Sequence, residues 1–279
     1  MSFEFIQSET RDGVLILTMN DPATRNAIGS QMSDELEQEL SRFETESALR
    51  VLVMTGVDPA FCSGANVRGM QRNIQDQQET AEVQPSPWEA LDPSRYGQIV
   101  TRPSGPPIVL RLHHIQKPTI AAVNGAAYGL GCGIALTCDI RIASEKARFS
   151  EAFVRNGLIP ADGSCWQLPR LIGVANTLLL QYTGDAVDGQ EALRLGMCSR
   201  VVPHEQLLDT ALELGARLAN GPTYQMSLIK RLVEKGLQQT LEEHLVDASR
   251  AQSLARRTED HREGVQAFLE KRLPNFKGR

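Results

Sequence analysis

The segment NGAAYGLGCGIALTCD at 124–139 limits the possible folds more than any other stretch, because its glycines and small side chains suit a helix that meets other backbone at close range. Before it, KPTIAAVNG reads as a strand entered through Pro118 and ending at Asn124 and Gly125. After it, DIRIAS at 139–144 reads as another strand, so the segment is the helix of a strand–helix–strand unit.

The same theme occurs earlier in the chain. FEFIQS at 3–8 and GVLILTM at 13–19 are short β-rich runs joined by a polar turn around Asp12 and Gly13, which predicts a hairpin. After the loop NDPATRNAIGS, Met32, Leu36, Leu40 and Phe43 recur at helical spacing, with Ser30 near the start. RVLVMTG at 50–56 then reads as a strand buried on both faces. Two such units in succession predict an α/β fold of layered ββα units.

From about residue 203 the periodicity is helical throughout, with candidate helices at 204–219, 223–237, 241–255 and 259–272. The expected division is therefore a core over 1–202 and a C-terminal helical lobe over 203–279. Between 71 and 107 the chain is rich in Gln, Glu and Pro and too long for an ordinary connection, so it reads as a long variable loop that is either a lid or a surface excursion.

Charge narrows the function classes. A formal net charge of −5, from 29 basic and 34 acidic residues interspersed, leaves no basic block to neutralise a nucleic-acid backbone. The start MSFEFIQSETRDG lacks the pattern of a secretory signal and no apolar stretch has membrane-spanning length, so a cytoplasmic protein without membrane contact is expected. The cysteines at 62, 132, 138, 165 and 198 have neither metal-ligand spacing nor a paired framework, and read as buried free thiols.

Two turns carry the candidate chemistry. In FCSGANVRGM at 61–70 a strand ends and Ser63, Gly64 and Ala65 turn toward a predicted helix, whose first N–H groups lack internal partners. Gly129, Leu130 and Gly131 repeat the device. Two such N–H groups converging on one point suit an oxygen on which negative charge develops. Taken singly, each turn is explained equally well by close helix packing.

In order and spacing the pair resembles the enoyl-CoA hydratase/isomerase, or crotonase, superfamily. The resemblance runs through DPATRNAI (21–28), FCSGANV (61–67), KPTIAAVNG and GLGCGIALTCDIRIAS (within 117–144), ARFSEAFVRNGLIPADGSCWQLPRLIG (147–173), TGDAVDGQEALRLGMCSRVVP (183–203) and the ending FLEKRLPNFKG. It implies a spiral of ββα turns with C-terminal helices that form trimers, often paired into hexamers, and an acyl-CoA thioester as substrate with no other cofactor and no metal. The thioester oxygen is expected between the amides of Ala65 and Leu130, with the CoA adenine near Ser63, Ala65, Asn66 and Val67. Arg25 takes the family's basic position near the nucleotide phosphates, and Phe276 and Lys277 match a pair that approaches CoA from a neighbouring subunit.

The departures fall on the acid–base side. Hydratases of this family use two glutamates to handle water and the α-proton. Here those places hold Gly133 and Phe153. Other members carry one carboxylate in the loop after GLIP, where its usual place is Ala161 and Asp162 stands one residue along. Asp162 is thus both a candidate catalyst and a candidate cap for the following helix. Glu151 ranks behind it, since strand alternation would place it on Phe153's side or in a surface pair. Either His113 or His114, but not both from one helix, could serve as a base. Asp139 is expected to be buried, satisfying backbone groups at a strand start, while Trp88, Tyr96 and Trp166 are candidates for an acyl pocket or for packing. The readings are an enolate-forming isomerase or unusual hydratase, an acyl-CoA hydrolase or C–C bond-cleaving relative, and an acyl-CoA-binding protein without a catalyst.

Overall fold

Alternation along Val14–Met19 and Val51–Gly56 buries both sides of these strands, and the side chains divide between two cores. The computed structural model describes residues 3–66 and 107–279. The expected loop at 71–107 lies outside these residues except for Pro107, as do Val67, Trp88 and Tyr96.

Strands β1 (Ile6–Arg11) and β2 (Val14–Met19) form the expected antiparallel hairpin, with Asp12 and Gly13 both at positive φ in the turn. Helix α1 (Ser30–Thr45) crosses to β3 (Val51–Gly56), which pairs parallel with β2. Beyond it lie β5 (Thr119–Val123), β7 (Ile140–Ser144) and β10 (Arg200–Val202), giving a sheet in the order β1-β2-β3-β5-β7-β10. One face packs Leu15, Leu17, Leu52, Met54, Ala121 and Val123 against α1 through Met32, Leu36, Leu40 and Phe43. The other face packs Val14, Ile16, Val51, Val53 and Ile120 against Leu207 and Ala211 of the helix Leu207–Ala219. Each fully buried Leu, Ile or Phe on these faces contributes roughly 1.5–3 kcal/mol.

A second sheet stacks the short strands β4 (Ala60–Cys62), β6 (Ala126–Tyr128), β8 (Arg148–Ser150) and β9 (Val187–Asp188) in that order. Strand β6 had no counterpart in the sequence reading, because AAY carries too little β-forming character to stand out between Gly125 and Gly129. Between the sheets and over them lie the helices Ile108–His114, Leu130–Thr137 and Ser164–Thr183, the last bending at Gly173. Helices Thr223–Gly236, Leu241–Ala255 and Glu259–Glu270 complete the C-terminal region at nearly the expected bounds. Of the five thiols expected to be buried, Cys165 is exposed, since it faces outward on the first turn of its helix.

Asn26 ties the loop after β2 to the second sheet. It is fully buried; its amide nitrogen donates to Val57 O at 2.8 Å and Ala60 O at 2.7 Å, and its Oδ1 accepts from Asp21 N at 2.9 Å. Asn26→Ala leaves these backbone groups unpaired, and urea denaturation is expected to report a loss of about 2–3 kcal/mol. A loss below about 0.5 kcal/mol would contradict this role for Asn26.

Candidate active site

The parallel register of β4 and β6, Ala60 opposite Ala126 and Cys62 opposite Ala127, delivers the carboxyl ends of both strands to one edge. There the two glycine-rich turns touch. Gly64 has φ 109°, and a Cβ on it would lie 3.0 Å from Tyr128 O and 3.8 Å from Leu130 N. A Cβ on Gly131 would fall 2.2 Å from Cys62 O, so only glycine admits this approach of the helix Leu130–Thr137 to β4.

Leu130 opens that helix, so its N–H has no partner in the preceding turn. Ala65 sits in a parallel bridge with Ile28, in which Ile28 N donates to Gly64 O at 2.8 Å and Asn66 N donates to Ile28 O at 3.0 Å. Those bonds use the groups on either side of Ala65 and turn its own N–H the other way. Among the described residues, neither the Ala65 nor the Leu130 amide donates to a backbone carbonyl. The helix expected after Ala65 lies beyond the described segment.

The residues expected to meet CoA divide into two groups. Ser63 N donates to Arg25 O at 3.0 Å and Ser63 Oγ to Thr24 O at 2.8 Å, so Arg25, Ser63, Ala65 and Asn66 are neighbours, with the Arg25 side chain exposed. Phe276 and Lys277 lie apart from them within this chain. Phe276 borders a cavity formed with Gly264 and Phe268, and Lys277 N donates to Asp260 Oδ1 at 2.6 Å.

On the acid–base side, the space above Gly133 is filled from elsewhere. A Cβ on Gly133 would lie 2.5 Å from Asp162 Oδ2, so the Asp162 carboxyl stands where a side chain at 133 would begin. Asp162 is only 3% exposed, and its Oδ1 accepts from Ser164 N at 3.1 Å and Ser164 Oγ at 2.8 Å. Gly163, not Asp162, is the N-cap of the helix Ser164–Thr183, because Asp162 stands one residue before it; its bond from Ser164 N still coexists with the inward-facing carboxyl. Oδ2 has no hydrogen-bond partner among the described residues.

Glu151 departs from the expectation of a surface pair or of Phe153's side. Strand β8 ends at Ser150, and the chain turns through a 3-10 helix at Ala152–Asn156, so alternation does not continue. Phe153 packs its ring against Gly129, whereas Glu151, 2% exposed, points its Oε2 to Ser164 Oγ at 2.7 Å. Burial, and then the charge of Asp162, push the Glu151 carboxyl from an ordinary 4.5 up to about 8. Burial also raises Asp162, against the lowering effect of its bonds from Ser164. The sequence signal for this pair is weak, because Glu151 and Asp162 are joined only through Ser164, a residue with no distinguishing pattern around it.

Beside Asp162 opens a cavity of about 380 Å³ bordered by Val109, Leu110, His113, His114, Trp166 and Gln167. Both histidines border it, one turn after Val109 and Leu110 on the helix Ile108–His114. The His113 ring meets Trp166 edge-on with centroids 5.5 Å apart, and burial lowers its pKa. Asp139 is exposed rather than buried; its Oδ1 pairs with Lys230 Nζ at 2.8 Å, while its Oδ2 accepts from Thr119 N at 2.8 Å at the strand start. Among the described residues no cluster of three or more His, Cys, Asp or Glu side chains is placed to hold a metal ion.

Residues 9–279 match the family model described as enoyl-CoA hydratase/isomerase, and the chain belongs to that family. It is 37% identical to 1,2-epoxyphenylacetyl-CoA isomerase of Escherichia coli, over 99% of each chain. It is 32% identical to crotonyl-CoA hydratase of Syntrophomonas wolfei, again over 99% of each. Among solved structures it resembles subunit I of an enoyl-CoA hydratase from Geobacillus kaustophilus with a TM-score of 0.83, at 33% identity over 100% of both chains. It is an acyl-CoA enzyme of the enoyl-CoA hydratase/isomerase type.

The raised Glu151 pKa links proton uptake to folding. The folded state holds a proton that the unfolded chain releases between about 4.5 and 8, so stability falls as pH rises through that window, by at most ~1.4 kcal/mol per pH unit for one proton. Asp162, also raised, adds in the same direction at its lower end. In denaturation measured across this range, Glu151→Gln is expected to flatten the decline, and an unchanged slope would contradict the assignment.

Proposed function

We propose that this chain isomerises an acyl-CoA thioester by moving a proton on its acyl group. In this reading the Ala65 and Leu130 amides hold the thioester oxygen and Asp162 takes and returns the proton. The observation that carries it is the position of Asp162 Oδ2 above Gly133, which supplies a carboxyl where the two hydratase glutamates are replaced by Gly133 and Phe153. When the acyl C–H breaks, the proton passes to Oδ2 and the electron pair moves toward the thioester oxygen. Two amides aimed at that oxygen stabilise the charge before it forms, because they need no reorganisation. Return of the proton to another acyl carbon completes the isomerisation. One carboxyl suffices for this, whereas hydration needs a second group to activate water.

The E. coli relative supports isomerisation, since it is named for isomerising a phenylacetyl-CoA derivative. The cavity bordered by His113 and Trp166 suits a bulky or cyclic acyl group on this chain as well. CoA enters as part of the substrate, with its adenine near Ser63, Ala65 and Asn66 and its phosphates toward Arg25. Val67, outside the described residues, belongs to the same proposed binding strip. Phe276 and Lys277 reach CoA from a neighbouring subunit in a trimer or hexamer. Exposed Leu237, Leu241, Leu245, Phe268, Leu269 and Leu273 give the C-terminal helices the apolar surface that such an assembly would cover.

With a panel of enoyl-, dienoyl- and ring-bearing acyl-CoA thioesters, the expected result is altered absorbance at unchanged mass. Gain of water would favour hydration, release of free CoA hydrolysis, and binding without change a protein lacking a catalyst. Asp162→Asn should lower kcat by ~10²–10⁴-fold while binding persists. A rate near wild type would remove Asp162 from the mechanism.

Leu130→Pro tests the amide, because the first position of a helix tolerates proline, which removes the N–H along with part of the leucine packing. A loss of ~10²–10³-fold in kcat with an intact melting transition is expected. An unchanged rate would exclude the Leu130 donor.

A further inference from the structure

Ser164 is fully buried, and its Oγ lies 2.7 Å from Glu151 Oε2 and 2.8 Å from Asp162 Oδ1. It also accepts from Gln181 Nε2 at 3.3 Å. A hydroxyl owns one proton, so Ser164 donates to only one of the two carboxyls. The contact with the other, at the same short range, is a hydrogen bond only if that carboxyl brings a proton of its own. Two ionised carboxylates sharing one buried hydroxyl would in addition repel one another.

The surroundings decide which carboxyl carries the proton. Asp162 has a second donor in Ser164 N and borders the cavity, both of which favour its charged form. Glu151 is deeper, with Oε1 unpaired, and besides the Ser164 hydroxyl its neighbour is the Cys132 thiol, a weak donor. We infer that Glu151 is the protonated member of the pair and donates to Ser164, so that the Ser164 proton is directed onto Asp162 and orients it.

This inference rests on the proposed role of Asp162 as the group that accepts and returns the substrate proton. Glu151 is then a positioning residue: it keeps its own proton throughout and gives none to the substrate. The upward push on the Glu151 carboxyl, to about 8, is in keeping with this assignment. Among the described residues, the other titratable groups acting on it are Asp162, Cys132 from the helix Leu130–Thr137 and Cys165 from the helix Ser164–Thr183, both thiols raised in pKa by burial. His113 lines the same cavity as Asp162. Once Glu151 ionises, one serine proton serves two carboxylates and the orientation of Asp162 is lost.

The test is an infrared pH titration of the full-length protein without substrate. A protonated-carboxyl band present at neutral pH should disappear as pH passes about 8 and should be missing from Glu151→Gln. No such band in the wild type, or one retained in Glu151→Gln and lost in Asp162→Asn, would overturn the assignment. Should Glu151→Gln fail to fold, Ser164→Ala serves instead: the band should shift because the carboxyl O–H loses its acceptor, and an unshifted band overturns the shared hydroxyl. In turnover, the fall of kcat on the alkaline side should be lost in Glu151→Gln, whose amide donates at every pH; an unmoved limb counts against the role. The infrared readout needs no reaction, so a chain inert toward every thioester would sink the proposed isomerisation without touching the band. A failed band would sink the proton assignment even in an active enzyme.

Discussion

The backbone contact between the ends of β4 and β6 is the constraint on which the site depends. Parallel pairing of Ala60–Cys62 with Ala126–Tyr128 brings two turns to one edge, but side chains at 64 and 131 would hold them apart. Glycine at both positions removes that barrier: at Gly131 the clash would be with Cys62 O itself, at 2.2 Å, which no rotamer change relieves. The same approach sets the helix Leu130–Thr137 at the height where Gly133 lies under Asp162. One geometric condition therefore positions both the amides of Ala65 and Leu130 and the floor beneath the carboxyl.

That floor leaves room for a carboxyl beside residue 133. With no Cβ at 133, the loop before the helix Ser164–Thr183 brings Asp162 into the gap from the opposite wall. A larger residue at 133 and the observed Asp162 are mutually exclusive, since Oδ2 lies 2.5 Å from where that Cβ would be. Burial then sets the electrostatics. Asp162 and Glu151 are raised by the same dry surroundings, and Ser164 joins them into one unit with fewer protons than hydrogen-bond contacts.

Much of this was legible in the sequence. The hairpin follows from two β-rich runs around a polar turn, α1 and the C-terminal helices follow from apolar residues at helical spacing even though Leu241–Ala255 buries none of its residues within this chain, and the glycines at 129, 131 and 133 mark a close approach. Strand β6 was not legible, since its pairing is fixed by its neighbours β4 and β8 rather than by its own residues. The buried place of Glu151 beside Ser164 is not legible for a physical reason: strand alternation does not extend past Ser150, where the chain leaves the sheet for a 3-10 turn. The space that Gly133 leaves is taken up by the Asp162 carboxyl. That contact links residues far apart in the chain and is visible only in three dimensions.

The most direct measurement is a crystal structure of the Asp162→Asn protein with an unreacted acyl-CoA thioester. The account predicts the thioester oxygen within about 3.2 Å of both the Ala65 and Leu130 nitrogens, with the residue 162 side chain facing the acyl carbons between which the proton moves. A thioester oxygen bound away from those amides, or acyl carbons turned from residue 162, would contradict it.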